Sequence, residues 1–246
     1  MWIKLLLAIS FYTRIPISKA LDYSRLAESA VFLPIVGWLV GGVAALVFYG
    51  TALLWSKLTA LILSLIATVL LTGAFHEDGF ADVCDSFGGG YDKTQVFIIM
   101  KDSRIGSYAL VGLLLLFALK LSVLLELPIN TLPWILLAGH SLSRLSPLYL
   151  MYRYDYAWCE SSKVGAAIYK PDIKDLALIA VCAVFPLLAL PALCSITVFT
   201  VMLITDLLGR YFYQRIGGYT GDCLGATQQI SEVIFYLTVS ALWTFI

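Results

Sequence analysis

Long apolar stretches separated by short polar segments dominate the chain from residue 29 onward. A helix needs about 20 mostly apolar residues to cross the hydrocarbon core of a bilayer. Six stretches meet or nearly meet this length: 29–54, 58–75, 105–127, 132–152, 176–209 and 230–246. The fifth is too long for one helix, and a division near Pro191 gives two short spans. The pattern predicts an all-α, polytopic membrane bundle of about seven transmembrane helices, with residues 1–246 forming a single domain.

The composition supports a membrane protein. Of the 246 residues, 61% are hydrophobic and 13% are charged, whereas a soluble domain is about half apolar and about a quarter charged. Lysine plus arginine and aspartate plus glutamate number 16 each, so no global field favours a nucleic-acid partner. The five cysteines show no CxxC or Cys/His spacing, which argues against a disulfide framework or a zinc site.

The basic residues predict the orientation. With seven spans, the segments 1–28, 77–104, 153–175 and 210–227 lie on one side of the bilayer and hold 13 of the 16 basic residues. Excess lysine and arginine mark the cytoplasmic side. We therefore expect a multi-pass protein of the plasma (inner) membrane, whose N-terminus and three long loops face the cytoplasm.

The N-terminal segment is expected to be retained. Its first residues resemble a short signal sequence, but no small-residue cleavage site follows. Residues 5–14 are too short to cross and are predicted to lie in the membrane interface. The first span carries Gly37, Gly41 and Gly42, a small-xxx-small pattern, which favours close packing of helix backbones.

Three aspartates carry the strongest chemical signal. Asp78, Asp82 and Asp85 are spaced i, i+4, i+7 and fall within roughly 60° on one face of a helix. Carboxylates at this spacing are close enough to share a cation, and oxygen ligands favour Mg²⁺ or Mn²⁺ over zinc. A solvated helix end is the alternative, but no basic partner lies at i±3 or i±4. Glu77 points about 100° away, outside this set.

Two further segments of the same side suit phosphate. In residues 101–104, Ser103 or Asp102 is predicted to cap the third span, and Arg104 beside a helix N-terminus suits an anion. Residues 217–226 have the glycines of a phosphate loop but lack Gly-Lys-Ser/Thr, so they are not a P-loop. Asp222 in this segment is a candidate metal ligand or base.

Polar residues inside the spans are weaker signals. His76 lies at a membrane boundary, where it can ligate, donate a proton or cap the helix. His140, Ser143 and Arg144 form a polar stripe. A buried arginine in a membrane helix marks function by default, unless it simply pairs with Asp206 or Glu232.

Five segments together resemble the cobalamin (5′-phosphate) synthase family. They are FYTRIP at 11–16, FLPIVGWLVGG at 32–42, GAFHEDGFADVCDSF at 73–87, MKDSRIGSYA at 100–109 and GYTGDCLGA with Glu232 at 218–232. They run in family order along nearly the whole chain. Phe80 and Ser86 stand where the family usually has leucine and glycine, and neither difference removes a charged position.

The resemblance implies an integral membrane enzyme of the nucleotide-loop stage of cobalamin assembly. Members of the family join adenosylcobinamide-GDP to α-ribazole or α-ribazole 5′-phosphate and release GMP, with Mg²⁺ present. The expected partners are these corrinoid and nucleoside substrates and the lipid bilayer. A homo-oligomer, or association with other enzymes of cobalamin assembly, is compatible with this assignment.

The resemblance also assigns roles to the candidate residues. Asp78, Asp82 and Asp85 are expected to hold one or two Mg²⁺ ions on the pyrophosphate of the donor. The substrate-binding candidates are Arg14, Arg104, Ser103, Gly221 and Thr220. The catalytic candidates are Asp82, His76, Asp102 and Asp222, and the choice of a base for the 5′-hydroxyl stays open among the last three.

Other membrane proteins use similar carboxylates. A CDP-alcohol phosphotransferase has Asp-Gly-x2-Ala-Arg, and residues 78–82 begin in the same way, but Asp82 replaces the arginine. A polyprenyl transferase is a second enzyme alternative. A cation or corrinoid transporter should carry ionisable residues near the midplane and symmetric halves, whereas these acids crowd one surface and no repeat is evident.

Overall fold

The computed structural model describes residues 2–17, 21–157 and 170–246, and these ranges form a bundle of helices. Their α-helices are α1 (Trp2–Tyr12), α2 (Leu26–Ser29), α3 (Leu33–Ala52), α4 (Lys57–Thr72), α5 (Phe75–Gly89), α6 (Lys93–Met100), α7 (Ser107–Glu126), α8 (Leu132–Ser143), α9 (Leu145–Arg153), α10 (Ile173–Val184), α11 (Ile196–Ile216) and α12 (Gly221–Trp243). An isolated parallel bridge joins Tyr156 to Tyr219. The predicted all-α class is confirmed.

Several helices are long and apolar enough to cross a bilayer. In the described ranges these are Tyr23–Ala52, Ser107–Glu126 and Ala192–Ile216, and α4 and α5 meet the same test only as a pair. The chain is therefore a helical membrane protein. The count of seven spans remains a prediction.

The packing of α3 on α8 depends on two glycines. A Cβ atom on Gly37 would collide with the carbonyl oxygen of His140, and one on Gly41 would lie 2.8 Å from the Cα atom of Leu137. The two backbones therefore approach more closely than larger residues permit. The predicted packing role is confirmed for Gly37 and Gly41 and is wrong for Gly42, where an added Cβ atom would meet nothing within 4 Å.

The long apolar stretch before α11 is broken. Helix α10 ends at Val184, and the turns Phe185–Ala189 and Ala192–Ser195 precede α11. Pro186 has no N–H group, so it leaves the carbonyl of Cys182 without its usual helical donor. The indole Nε1 of Trp38 donates to that carbonyl at 3.0 Å, which satisfies the oxygen inside the bundle. The predicted division of this stretch is confirmed.

A sharp bend joins α4 to α5. Gly73 and Ala74 both have positive φ angles, 68° and 58°, and the two helices meet at 90°. Alanine rarely adopts this backbone conformation because its Cβ atom approaches a carbonyl oxygen. At Gly73 a Cβ atom would collide with the Arg14 guanidinium. The bend turns α5 into the bundle.

Helix α5 packs between α7 and α12. Gly79 lies against Asp222 and Gly225, where an added Cβ atom would come within 3.0 and 3.3 Å of the α12 backbone. Farther along α12, Gln229 contacts Glu77, so the two helices run antiparallel. On the other side, Gly88 packs on the Tyr108 ring of α7. These contacts fix the direction of each α5 side chain.

Candidate active site

Carboxylates of α5 and α12 meet where the two helices touch. Asp78 and Asp82 lie one turn apart on α5, and Asp222 lies in the first turn of α12. Gly79 has no side chain, so it allows the start of α12 to approach α5 at this level. Asp78 is exposed, while Asp82 and Asp222 are half-buried. We call Asp78, Asp82 and Asp222 the acidic face.

The acidic face favours a cation. Burial, followed by the negative charges of Asp222, Asp78 and Asp85, raises the pKa of Asp82 to about 6. Burial, and then the charge of Asp78, raises the pKa of Asp222. None of the ion pairs among the described residues involves the acidic face. A bound cation would remove the repulsion between these carboxylates.

The geometry fits a metal shared with a ligand, not a closed protein cage. The described residues contain no group of three or more His, Cys, Asp or Glu side chains that could hold a metal ion. The donors are carboxylate oxygens only, which suit Mg²⁺. This ion commonly binds one or two carboxylates and takes its other ligands from water and substrate phosphates.

Asp85 caps a helix. Its carboxylate accepts hydrogen bonds from the backbone N–H groups of Gly106 at 2.6 Å and Ala109 at 2.9 Å. These are free donors at the start of α7. The prediction that Ser103 or Asp102 caps this span is wrong, because α7 begins at Ser107, after an extended Gly106. Local spacing could not reveal a cap supplied by another helix.

An open cleft of about 430 Å³ lies beside Asp85, with Asp102, Arg104 and Tyr108 in its lining. Asp102 accepts hydrogen bonds from the Arg104 side chain at 2.9 and 2.5 Å. These bonds lower the pKa of Asp102 to about 2, which makes it a weak base. Arg104 is 87% exposed and remains accessible to an anion. Ser103 is exposed and does not line this cleft.

The start of α12 is built by a contact between two loops. The N–H of Ala157 donates to the Tyr219 carbonyl at 2.8 Å, and Tyr156 bonds to the backbone of Gly221. Thr220 is buried and accepts from the Cys223 N–H at 3.3 Å, so it caps the helix. Gly221 is exposed. Sequence reasoning did not identify Tyr156 as a residue of this site.

Two other candidates lie at the start of α5. Arg14 is exposed above Gly73. Along the axis of α5 this level is about 5–8 Å from Asp78, the nearest member of the acidic face. His76 is buried and stacks on Tyr12, with 6.4 Å between ring centroids. Around the axis of α5, the His76 side chain points about 200° away from that of Asp78.

A buried polar network crosses the bundle next to the acidic face. Its members are Glu77, Lys120, His140, Arg144, Gln228, Gln229 and Glu232. Lys120 Nζ lies 3.0 Å from Glu232 Oε1 and 2.7 Å from Gln229 Oε1. Asp206 pairs instead with Arg210 at 2.8 Å. We missed the pairing of Lys120 with Glu232, although each is a lone charge in an apolar stretch.

Comparison with known proteins identifies similar chains. The family model described as cobalamin-5-phosphate synthase matches residues 4–240. A protein of Shewanella amazonensis is 40% identical over 97% of this chain and 95% of its own length. A protein of Ralstonia pickettii is 37% identical over 95% of this chain and 93% of its own length. Both are named adenosylcobinamide-GDP ribazoletransferase. No solved structure matches the chain.

Proposed function

This chain belongs to the cobalamin-5-phosphate synthase family, and we propose that it acts as an adenosylcobinamide-GDP ribazoletransferase at the acidic face. The reaction joins adenosylcobinamide-GDP to α-ribazole or its 5′-phosphate and releases GMP, in the nucleotide-loop stage of cobalamin biosynthesis. The observation that carries the proposal is the likeness to curated transferases over nearly the whole chain. The acidic face supplies the chemistry that such a reaction needs.

Asp78 and Asp82 hold the metal in this proposal. When bound, Mg²⁺ neutralises the charge of the donor pyrophosphate. Asp82 fits this role because burial and the neighbouring carboxylates raise its pKa to about 6, so a bound cation would stabilise its charged form. Phosphate oxygens and water complete the ligand set.

The cleft beside α7 binds the nucleotide part of the donor. Its volume of about 430 Å³ lies within the usual range for small-molecule sites. Arg104 is exposed at its edge and exchanges its bond to Asp102 for phosphate oxygens of the donor. Asp85 orders the wall of the cleft through the start of α7.

Asp222 accepts the proton of the attacking hydroxyl. The 5′-oxygen forms a bond to the phosphorus nearer cobinamide, and the bond from that phosphorus to the oxygen of GMP breaks. Of the candidate bases, Asp102 has a lowered pKa and His76 is buried beside Tyr12. Asp222 is half-buried, and burial raises its pKa, which suits a general base.

The acidic face lies on the cytoplasmic side of the inner membrane in this proposal. The basic residues support the orientation, since 13 of 16 lie in the segments predicted to share that side. The nucleotide donor and the released GMP would then exchange directly with the cytoplasm.

The test is a transferase assay with detergent-purified protein, adenosylcobinamide-GDP and α-ribazole, with and without Mg²⁺. We expect a corrinoid product and equimolar GMP only when the metal is present. A parallel assay replaces the corrinoid donor with a CDP-alcohol. Turnover of the CDP-alcohol without turnover of the corrinoid would contradict the proposal. A third assay with α-ribazole 5′-phosphate determines which acceptor is preferred.

A further inference from the structure

A small cavity of about 10 Å³ lies inside the bundle, at the bend between α4 and α5, and is about the size of one water molecule. Apolar and hydroxyl side chains of α3, α4 and α7 line one side, and members of the buried polar network line the other. His140 is 4% exposed and Arg144 is 2% exposed. The cavity therefore places charged groups in a buried region lined by six helices.

Most polar atoms of the network have partners on α12. Lys120 bonds to Gln229 and Glu232. Gln228 Nε2 donates to Glu232 Oε2 at 2.9 Å, and Gln229 Nε2 donates to Glu77 Oε1 at 3.1 Å. This side of the network is satisfied by protein groups.

Three atoms of the cavity residues have no partner among the described residues. They are Glu77 Oε2, His140 Nε2 and Arg144 Nε, and all three are buried. An unmet hydrogen-bonding group in a protein interior costs about 1–3 kcal/mol. Three such atoms around one cavity indicate a ligand that bonds to all of them.

The three atoms match a hydroxyl group. Arg144 Nε can only donate, and Glu77 Oε2 accepts when ionised. His140 Nδ1 lies 3.2 Å from Arg144 Nη1 and 3.4 Å from Glu232 Oε2. Because Arg144 Nη1 can only donate, Nδ1 accepts the shorter of the two contacts, which leaves the proton on Nε2 to donate into the cavity. A hydroxyl oxygen accepts two hydrogen bonds and donates one.

The charge of the network also favours a neutral ligand. Lys120 and Arg144 repel a cation, while Glu77 and Glu232 repel an anion, and the two signs balance. A water molecule needs two to four polar partners to be stable in such a cavity, and the three free atoms provide them.

We propose that this cavity is a binding site for a hydroxyl group, which accepts from Arg144 and His140 and donates to Glu77. The bound hydroxyl connects the first turn of α5 to α8. Because Asp78 follows Glu77 directly, the connection holds α5 in the rotation that turns Asp78 and Asp82 towards Asp222. Glu77 is thus a positioning residue. Its kinetic role rests on the proposed function, but the binding site does not.

The direct test is a cryo-electron microscopy map of the full chain in nanodiscs, at a resolution that shows water. One sample contains no substrate and a second contains α-ribazole. Density between Glu77, His140 and Arg144 in both maps identifies the ligand as a bound water, whose hydroxyl the three atoms hold. Its absence from the map without substrate would overturn the site.

The second test replaces one acceptor atom. Glu77→Gln keeps the oxygen that Gln229 bonds, but it places a third donor in the cavity. We expect the density to disappear and kcat to fall about tenfold, with both KM values unchanged. Glu126→Gln, the same change at the far end of α7, should behave as wild type.

These outcomes separate the two proposals. An unchanged kcat in Glu77→Gln, with the density gone, would overturn the positioning role. A wild-type protein that shows the density but has no transferase activity would refute the proposed function and leave the hydroxyl site standing.

Discussion

The acidic face and the buried polar network share two helices, α5 and α12, and differ in how their charges are balanced. Along α12, Asp222 is about 10–15 Å from Gln229 and Glu232. In the network, Glu232 has Lys120 at 3.0 Å and further donors around it. On the acidic face, carboxylates stand next to one another, and their repulsion contributes to the raised pKa of Asp82.

This difference in charge balance distinguishes a structural role of the buried polar network from a chemical role of the acidic face. A paired and hydrogen-bonded charge cluster inside a bundle joins helices and is complete without a metal. The repulsion within a group of like charges at a half-exposed position is relieved by a proton or by a bound cation. The same helices therefore hold the fold together at one level and, in the proposed function, bind a cation at another.

The largest expected effect is that of Asp82→Asn on turnover. We expect a loss on the order of a thousandfold, since a metal contributes several kcal/mol to transition-state stabilisation. The measurement is the rate of GMP release, with size-exclusion chromatography to show that the variant is folded. The matched control is Asp92→Asn, because asparagine still caps α6 at that position. Near-normal turnover of Asp82→Asn would remove this residue from the mechanism.

A second prediction concerns the buried pair. Lys120→Met leaves Glu232 charged and unpaired inside the bundle, and we expect a loss of about 3–5 kcal/mol of stability. Thermal unfolding in detergent measures this change. The double variant Lys120→Met, Glu232→Leu should recover most of the loss, because it removes both charges. If the double variant is less stable than the single one, the pair is not the source of the effect.

A third prediction is that metal and pH act on Asp82 together. At limiting Mg²⁺, activity should rise about tenfold per pH unit up to about pH 6, because only the ionised carboxylate binds metal. More Mg²⁺ should move the midpoint to lower pH. Rate profiles at two metal concentrations measure this shift, and a midpoint independent of Mg²⁺ would contradict it.

The sign of the stability effect follows from the same pKa. The pKa of Asp82 is raised in the folded protein, so the unfolded chain ionises first as pH rises. Without metal, Asp82 should therefore lower stability progressively between about pH 4 and pH 6. The variant Asp82→Asn should lack this contribution.

The smallest expected effect is that of Asp85→Asn. This change weakens the cap on α7 and should cost about 1 kcal/mol, visible as a lower Tm. Turnover should fall far less than in Asp82→Asn. An equal loss of turnover would show that Asp85 also holds the metal, as the sequence predicts.

The apolar stretches and the glycines of α3 could be interpreted from sequence because each depends on local features. An apolar helix needs a certain length to span a bilayer, and Gly37 and Gly41 lie on one helix face. The bend at Ala74 was not predicted, since alanine carries no sequence signal for a positive φ angle.

By itself, the sequence determined the membrane class, the family and the placement of Asp78 and Asp82 on one side of a helix. These depend on composition, on a linear motif and on the fixed rotation per helical residue. Only the tertiary structure decided which helices meet. It added Asp222 to the acidic face, turned Asp85 towards α7 and paired Lys120 with Glu232, 112 residues away. Such contacts depend on how packed helices are aligned along one another, and no local sequence pattern encodes that alignment.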